Sequence, residues 1–415
     1  MVTLMPHQVR AVEWLRSRNG RGLLWMDAGT GKTLTAIAAM KEFGVTSCLV
    51  LCPKAVIEQW HKEFERFGWK PARLAVTNYE SLKNIRAIDR YDIVVCDESQ
   101  LVNNPSAIRT RRLKKIESTY RVALSGTPMP NALWEAWSVI DWLSPGQLLR
   151  SFWAFRQSYC KTHPVFPSKI VGWHDGCERK FRHALDFHSF RVRREDVLTD
   201  LPDKQTRVVW TELGQDERLR YERLKKECIL ELSNGDVITP VNVVSKILRL
   251  RQLIDDPEAL GIERKGSKTR MLEHLLAKRT DRLRARTLVF TEFSTAAHSI
   301  AGFTGGRAYT GAASMKERKE IVEWFEELPE SVIALTAAGN LGLNLQAAEC
   351  VIHFGVPWNW ARFEQRGARA HRKGQTKEVE EIVILAKGTV DEMMWKLINE
   401  KRKLTTQDLL EALKQ

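Results

Sequence analysis

Gly22-Leu23-Leu24-Trp25-Met26-Asp27-Ala28-Gly29-Thr30-Gly31-Lys32-Thr33 decides how this chain is read. Gly22 to Met26 predicts a buried strand, and Thr33 to Met40 predicts the helix that follows it. Between them lies a glycine-rich turn. Strand, glycine loop and helix, in that order, make a cradle for phosphate. The glycines let backbone N–H groups close on phosphate oxygens, and the helix N-terminus adds positive potential. On this reading Gly29, Thr30 and Gly31 line the loop, Lys32 reaches the outer phosphates of a nucleotide, and Thr33 offers its hydroxyl to Mg²⁺. Met26 stands where the general pattern has its first glycine.

Working outward, three more apolar runs follow in the first half: Ser47 to Cys52, Asp92 to Cys96 and Tyr120 to Leu124. Continuous apolar strands separated by helical patterns predict a parallel sheet covered on both faces. Asp97 and Glu98 emerge at a strand end, where open α/β sheets bind ligands. With a phosphate loop upstream, Asp97 is assigned to Mg²⁺ and Glu98 to the attacking water. Ser125-Gly126-Thr127-Pro128 ends the next strand, with small hydroxyl residues placed to sense the acidic site; the plain reading is an ordinary turn.

The alternation returns in the second half. Thr287 to Phe290, Val332 to Leu335, Cys350 to Phe354 and Glu381 to Leu385 predict a second sheet. Gly339 to Asn344, with Gly342 and Asn344, is a glycine-rich turn after one of these strands. Further on lies Gln365-Arg366-Gly367-Ala368-Arg369-Ala370-His371-Arg372-Lys373-Gly374-Gln375. A helix through it would put Arg369 and Arg372 on one face. They would neutralise charge on a γ-phosphate, or belong to a solvated or nucleic-acid-facing basic surface. The expected division is 1–200 and 201–415, with helical inserts near 130–200 and 205–265 and a hinge near 198–205.

The bulk numbers set limits on partners. The formal net charge of the 415 residues is +14, which favours a polyanion such as nucleic acid. The 7 cysteines are scattered singly with no CxxC, which suits a reduced, cytoplasmic compartment. Met1 to Arg18 has no signal-like core, and no uncharged apolar run is long enough to span a bilayer. Cys160, His163, His174 and Cys177 have a permissible zinc spacing, but the prolines and basic residues around them read as a surface loop, so no zinc is expected. Trp134 and Trp137, at helical spacing, read as core. The runs Arg109 to Lys115 and Arg179 to Arg194 read equally well as solvated faces or as backbone contacts on DNA.

Together these pieces resemble the Swi/Snf-like branch of superfamily-two helicase-like ATPases, in order and along nearly the whole chain. Met5-Pro6-His7-Gln8 resembles the adenine-reading segment, which assigns Gln8 to the base. Leu51-Cys52-Pro53 with Gln59-Trp60 resembles the next motif, and Asp97-Glu98-Ser99-Gln100 resembles the DEAH-like box, with Gln100 where His is commoner. Leu124 to Asn131 resembles the coupling motif. Arg193-Arg194 with Val197 and Leu201-Pro202 is similar to the inter-lobe stretch. Gly339 to Val351 and Gln365 to Val379 resemble the two C-terminal motifs.

The resemblance implies an α/β protein of two RecA-like lobes, each a mostly parallel sheet flanked by helices. It also implies ATP and Mg²⁺ as cofactors, duplex DNA as partner, and ATP-driven translocation without strand separation. It makes Arg369 and Arg372 the arginine fingers, and Gln100, Ser125, Gly126, Thr127, Gly342, Asn344 and Gln365 the coupling residues. Short inserts suit a compact motor of viral or bacterial type. A strand-separating DNA or RNA helicase is the nearest alternative, and a nucleotide-gated DNA scaffold without turnover the next.

Overall fold

The eight apolar runs form the centres of two separate parallel sheets. The computed structural model describes the chain except residues 1, 86–89, 131, 150, 165–166, 198–203, 234–239, 263–264, 278–285, 338–344, 371–374, 376 and 401–415. Contacts divide it into two compact units, Met1–Thr199 and Asp200–Gln415.

In the N-terminal unit the strands are Arg21–Met26 (β1), Ser47–Cys52 (β2), Arg73–Asn78 (β3), Arg90–Asp97 (β4) and Glu117–Ser125 (β5). A short ribbon follows, Cys160–Thr162 (β6) and Ile170–Trp173 (β7), and then Ser189–Val192 (β8). The main sheet runs β3-β2-β4-β5-β1-β8, with every pairing parallel. Alternate residues feed two cores. Leu49, Leu51, Val94 and Cys96 face one layer of helices, while Cys48, Val50, Ile93 and Val95 face the other. Burial on both faces is what the unbroken apolar runs require.

The C-terminal unit repeats the plan. Its strands are Lys204–Thr211 (β9), Thr287–Phe290 (β10), Arg307–Tyr309 (β11), Val332–Leu335 (β12), Cys350–His353 (β13) and Val379–Ala386 (β14). They run β11-β12-β10-β13-β14-β9, again all parallel. Helices cover both faces, with Val289, Ala334 and Ile352 on one side and Leu288, Ile333 and Val351 on the other. Each unit is thus the parallel α/β lobe that the sequence predicts.

Several local expectations change. The stretch near 130–200 is not wholly helical. It holds the helices Trp137–Leu143, Phe152–Tyr159 and Cys177–His188, but also the β6–β7 ribbon, and it returns β8 to the main sheet beside β1. Near 205–265 the sheet strand β9 comes first, and the helices Gln215–Ser233 and Pro240–Asp255 follow. Gln8 lies inside the helix Pro6–Ser17. Of the hinge near 198–205, residues 198–203 lie outside the described residues, as do Leu201 and Pro202.

Trp137 is core, with 2% of its surface exposed, and Trp134 packs on Trp173 at 5.6 Å. Cys160 pairs with Trp173 across the ribbon, so His163 and His174 follow opposite ends of it. Among the described residues, no group of three or more His, Cys, Asp or Glu is arranged to hold a metal ion. No described helix is long and apolar enough to cross a membrane.

Candidate functional site

In a parallel sheet all strands end on one edge, and in the N-terminal unit β1, β4 and β5 bring their motifs to that edge. The loop after β1 closes on itself. Lys32 Nζ donates to the carbonyls of Met26 (2.8 Å) and Asp27 (3.1 Å), and Thr30 Oγ1 donates to Asp27 O at 2.8 Å. Gly29 and Gly31 both take left-handed φ, +86° and +87°. At Gly31 an added Cβ would also lie 2.0 Å from Gln8 Nε2 and would have to displace the Gln8 amide. Gly31 starts the helix Lys32–Glu42 without a side-chain cap, which leaves the first-turn N–H groups to an external acceptor. Thr33 sits in that first turn.

Gln8 and His7, both 3% exposed, brace this loop from the helix Pro6–Ser17. Gln8 Nε2 donates to Thr30 O (3.3 Å), His7 Nε2 lies 2.9 Å from the same oxygen, and Met5 N donates to Gln8 Oε1 at 2.8 Å. Asp27 ties the loop to the neighbouring strand. It donates from its N–H to Val192 O (3.1 Å), and its carboxylate accepts from Arg194 N at 3.0 Å. Nothing in the sequence reading gave Asp27 or Arg194 that task.

At the end of β4 the Asp97 carboxylate accepts from Glu98 N (2.9 Å) and from the indole Nε1 of Trp60 (3.0 Å), and its carbonyl accepts from the Tyr79 hydroxyl at 2.5 Å. Burial, then the neighbouring Glu98 charge, pushes the Asp97 carboxyl up to about 6, against the pull of Trp60 and Lys32. Burial keeps Tyr79 protonated, and so a donor. Glu98 has φ +51° and ψ +53°, a conformation uncommon for a residue with a side chain. The turn aims its carboxylate at Gln100 Nε2, 2.6 Å away. Gln100 Oε1 then accepts from Ser125 Oγ (2.7 Å), which accepts from Thr127 N at 3.0 Å. Gly126 packs 3.4 Å, measured from where a Cβ would be, from Met26 O, against the base of the loop. One hydrogen-bonded chain therefore runs from Glu98 to the end of β5.

In the C-terminal unit, Gln365 lies in the helix Trp360–Gly367. That helix ends before Arg369, which sits in the following turn with its N–H on Arg366 O at 3.1 Å. A continuous helix face is therefore not what presents Arg369, because the chain turns at Ala368. Arg369 is 3% exposed and lies close enough to Tyr309 to oppose the upward push of burial on that phenol. Arg372, Gly342 and Asn344 lie outside the described residues.

Two residues the sequence reading quoted without a role flank this stretch. Arg366 is fully buried, donates to Gly355 O (2.7 Å), pairs with Glu292 and lies 5.3 Å from the Phe290 ring centroid. Gln375 Nε2 donates to the carbonyls of Gln346 and Ala348, both at 2.9 Å, and its Oε1 accepts from Lys377 N at 3.0 Å. Only their partners, distant in sequence, give these residues a role.

Residues 73–259 match the SNF2-related domain, 267–374 the helicase conserved C-terminal domain, and 1–129 the res subunit of type III restriction enzymes. An uncharacterised ATP-dependent helicase of Mycoplasma genitalium is 28% identical over 98% of this chain and 42% of its own length. The Bacillus subtilis protein YwqA, named as an ATP-dependent helicase/translocase, is 27% identical over 98% of this chain and 48% of its own. A solved Sulfolobus solfataricus SWI2/SNF2 ATPase core in complex with dsDNA is 26% identical, covers 99% of this chain and 97% of that one, and gives a TM-score of 0.45. The chain spans under half the length of these curated relatives. The chain thus carries a SNF2-related domain followed by a helicase conserved C-terminal domain, and the relatives that match along nearly its whole length are Swi/Snf-type ATP-dependent helicases.

Proposed function

We propose that this chain is a DNA-dependent ATPase that uses ATP hydrolysis to move along duplex DNA without separating its strands. The observation that carries the reading is the chain Glu98–Gln100–Ser125–Thr127, which joins the carboxylate suited to orient water to the end of the neighbouring strand. A site that only held nucleotide has no use for such a connection. The net charge of +14 supports a polyanionic partner, and the similarity to YwqA, named as a helicase/translocase, supports translocation.

In this mechanism the loop N–H groups, Lys32 and the helix N-terminus bind the phosphates, and Gln8 reads the adenine. Thr33 and Asp97 fit Mg²⁺. Both offer hard oxygen donors, and the half-buried Asp97 carboxylate, raised by desolvation and then by Glu98, is short of positive charge. When bound, the ion shields the phosphate oxygens. Glu98 orients the attacking water. Arg369 and Arg372 supply the charge that stabilises the transition state once the two lobes share the nucleotide. Ser125, Gly126, Thr127, Gly342, Asn344 and Gln365 transmit the change to the DNA-holding surfaces. All seven cysteines are free and six of them are buried, in keeping with a reduced cytoplasm.

The test compares ATP hydrolysis without nucleic acid and with duplex, single-stranded, forked and RNA cofactors, alongside strand displacement on the fork. Low basal turnover, strong stimulation by duplex and no displaced strand are expected. Equal rates with and without any nucleic acid would sink the motor reading, and displacement would favour the strand-separating alternative.

A further inference from the structure

We infer that Trp60 is a positioning residue for Asp97: its indole N–H fixes the carboxylate in the orientation that a divalent cation needs. The inference rests on the proposal that Asp97 takes the cation. It adds a residue on another element, the helix Ile57–Phe67 that follows β2.

The geometry has three parts. First, the donor is rigid. Trp60 is 1% exposed and packs on Phe64, with ring centroids 6.1 Å apart. Second, the acceptor is held from both sides. One Asp97 oxygen accepts from Glu98 N at 2.9 Å and the other from Trp60 Nε1 at 3.0 Å, while Tyr79 holds the carbonyl of the same residue. A carboxylate has about four lone-pair sites, so each oxygen keeps capacity for a further partner. Third, an indole N–H can only donate. It can orient the carboxylate but never replace it as a ligand or compete with it for the cation.

Glu98 makes this necessary. Its negative charge beside Asp97 would turn an unrestrained carboxylate away, and the left-handed turn at Glu98 holds the two groups as neighbours. Partners that orient a metal ligand typically account for about 10- to 100-fold in metal affinity. A purely structural reading is that Asp97 merely satisfies a buried indole. The two readings differ in what happens to the cation when the N–H is removed and the ring bulk is kept.

The experiment measures binding of a non-hydrolysable ATP analogue to the full chain, with EDTA and across a Mg²⁺ titration, and Mn²⁺ binding by electron paramagnetic resonance. Trp60→Phe is expected to raise the Mg²⁺ midpoint and weaken Mn²⁺ about tenfold, with cation-free analogue affinity unchanged. Phe64→Leu, which loosens the packing but keeps the N–H, is expected to leave the midpoint in place. An unchanged midpoint in Trp60→Phe overturns the inference, and so does an equal shift in Phe64→Leu. Asp97→Asn separates this from failure of the underlying proposal. If that variant keeps wild-type Mn²⁺ affinity, Asp97 is not a cation ligand and both ideas fall. If it loses the cation while Trp60→Phe does not, only the role of Trp60 falls.

Discussion

Asp92 and Asp97 lie five residues apart on β4, and the fold treats them in opposite ways. At the start of the strand, burial pushes the Asp92 carboxyl up. The N–H groups of Ser47 and Thr46 and the nearby hydroxyls outweigh that push and hold it below the usual carboxylate range. At the end of the strand, burial and Glu98 prevail over the two donors, and Asp97 rises to about 6. A carboxylate supplied with donors completes a structure, whereas one left short of positive charge is built to receive some. The two edges of one sheet therefore differ: the strand starts hold it together, and the strand ends carry the proposed site.

The largest effect is expected from removing the positive charge proposed to meet the site edge. Arg369→Ala is expected to lower turnover at saturating duplex DNA by about 10³- to 10⁵-fold, the range for an arginine finger. Duplex affinity and its salt slope should stay near wild type. Normal turnover with a salt slope shallower by about one would falsify the finger assignment and move Arg369 to the DNA surface. Next in size is Glu98→Gln, which removes both the water-orienting base and the charge beside Asp97. Single-turnover hydrolysis should fall by about 10²- to 10⁴-fold while ATP stays bound. Wild-type turnover would show that another group orients the water.

What the sequence made legible divides along the same physical line. The eight strands read from it, β1, β2, β4, β5, β10, β12, β13 and β14, are the interior strands of the two sheets. The four it did not resolve, β3, β8, β9 and β11, are the edges. Interior strands are buried on both faces and show as unbroken apolar runs. An edge such as Arg73-Leu74-Ala75-Val76-Thr77-Asn78, with no residue fully buried, is diluted by polar side chains.

The site divides likewise. Lys32, Asp97 and Glu98 could be proposed from the sequence because each sits in a short local pattern. Gln375, the Arg366–Glu292 pair and the Asp27–Arg194 contact were not, because each depends on a partner that only the fold brings near. The helix premise for Arg369 failed for a local reason: the three-residue spacing of Arg369 and Arg372 assumes a helix, but the helix ends at Gly367.

A smaller effect is expected on stability. Asp97→Asn removes a carboxylate that the fold strains to keep ionised, so without nucleotide or Mg²⁺ the variant should be more stable than wild type at neutral pH, by on the order of 1 kcal/mol. The sign follows from the raised pKa. The wild-type group favours the folded state most below the unfolded carboxylate value, and loses that advantage as pH rises towards about 6. The gap between variant and wild type should therefore close as pH falls from about 6 to 4. Denaturant unfolding at several pH values checks it. A variant less stable than wild type at pH 7 would mean that the donors on Asp97 outweigh its burial.

The smallest effect belongs to the other end of the strand. Asp92 Oδ2 accepts from Thr46 N (2.7 Å), Thr46 Oγ1 (2.9 Å) and Ser47 N (2.9 Å), while Asp92 N donates to Ser47 Oγ at 2.9 Å. These bonds join the starts of β2 and β4, one step before the paired residues Cys48 and Ile93. Asp92→Asn keeps the shape and one acceptor oxygen but loses the charge, so it should cost under about 1 kcal/mol, at the modest end for partly exposed hydrogen bonds. Here the folded pKa is lowered. The contribution is present above the ordinary carboxylate value and is lost as pH falls through the lowered one. The variant should therefore be slightly less stable than wild type at pH 7 and equal to it in acid, the mirror of Asp97→Asn. Nucleotide affinity and its Mg²⁺ midpoint should not move. A shift in either would place the start of β4 within the functional machinery and end the division between the two edges of the sheet.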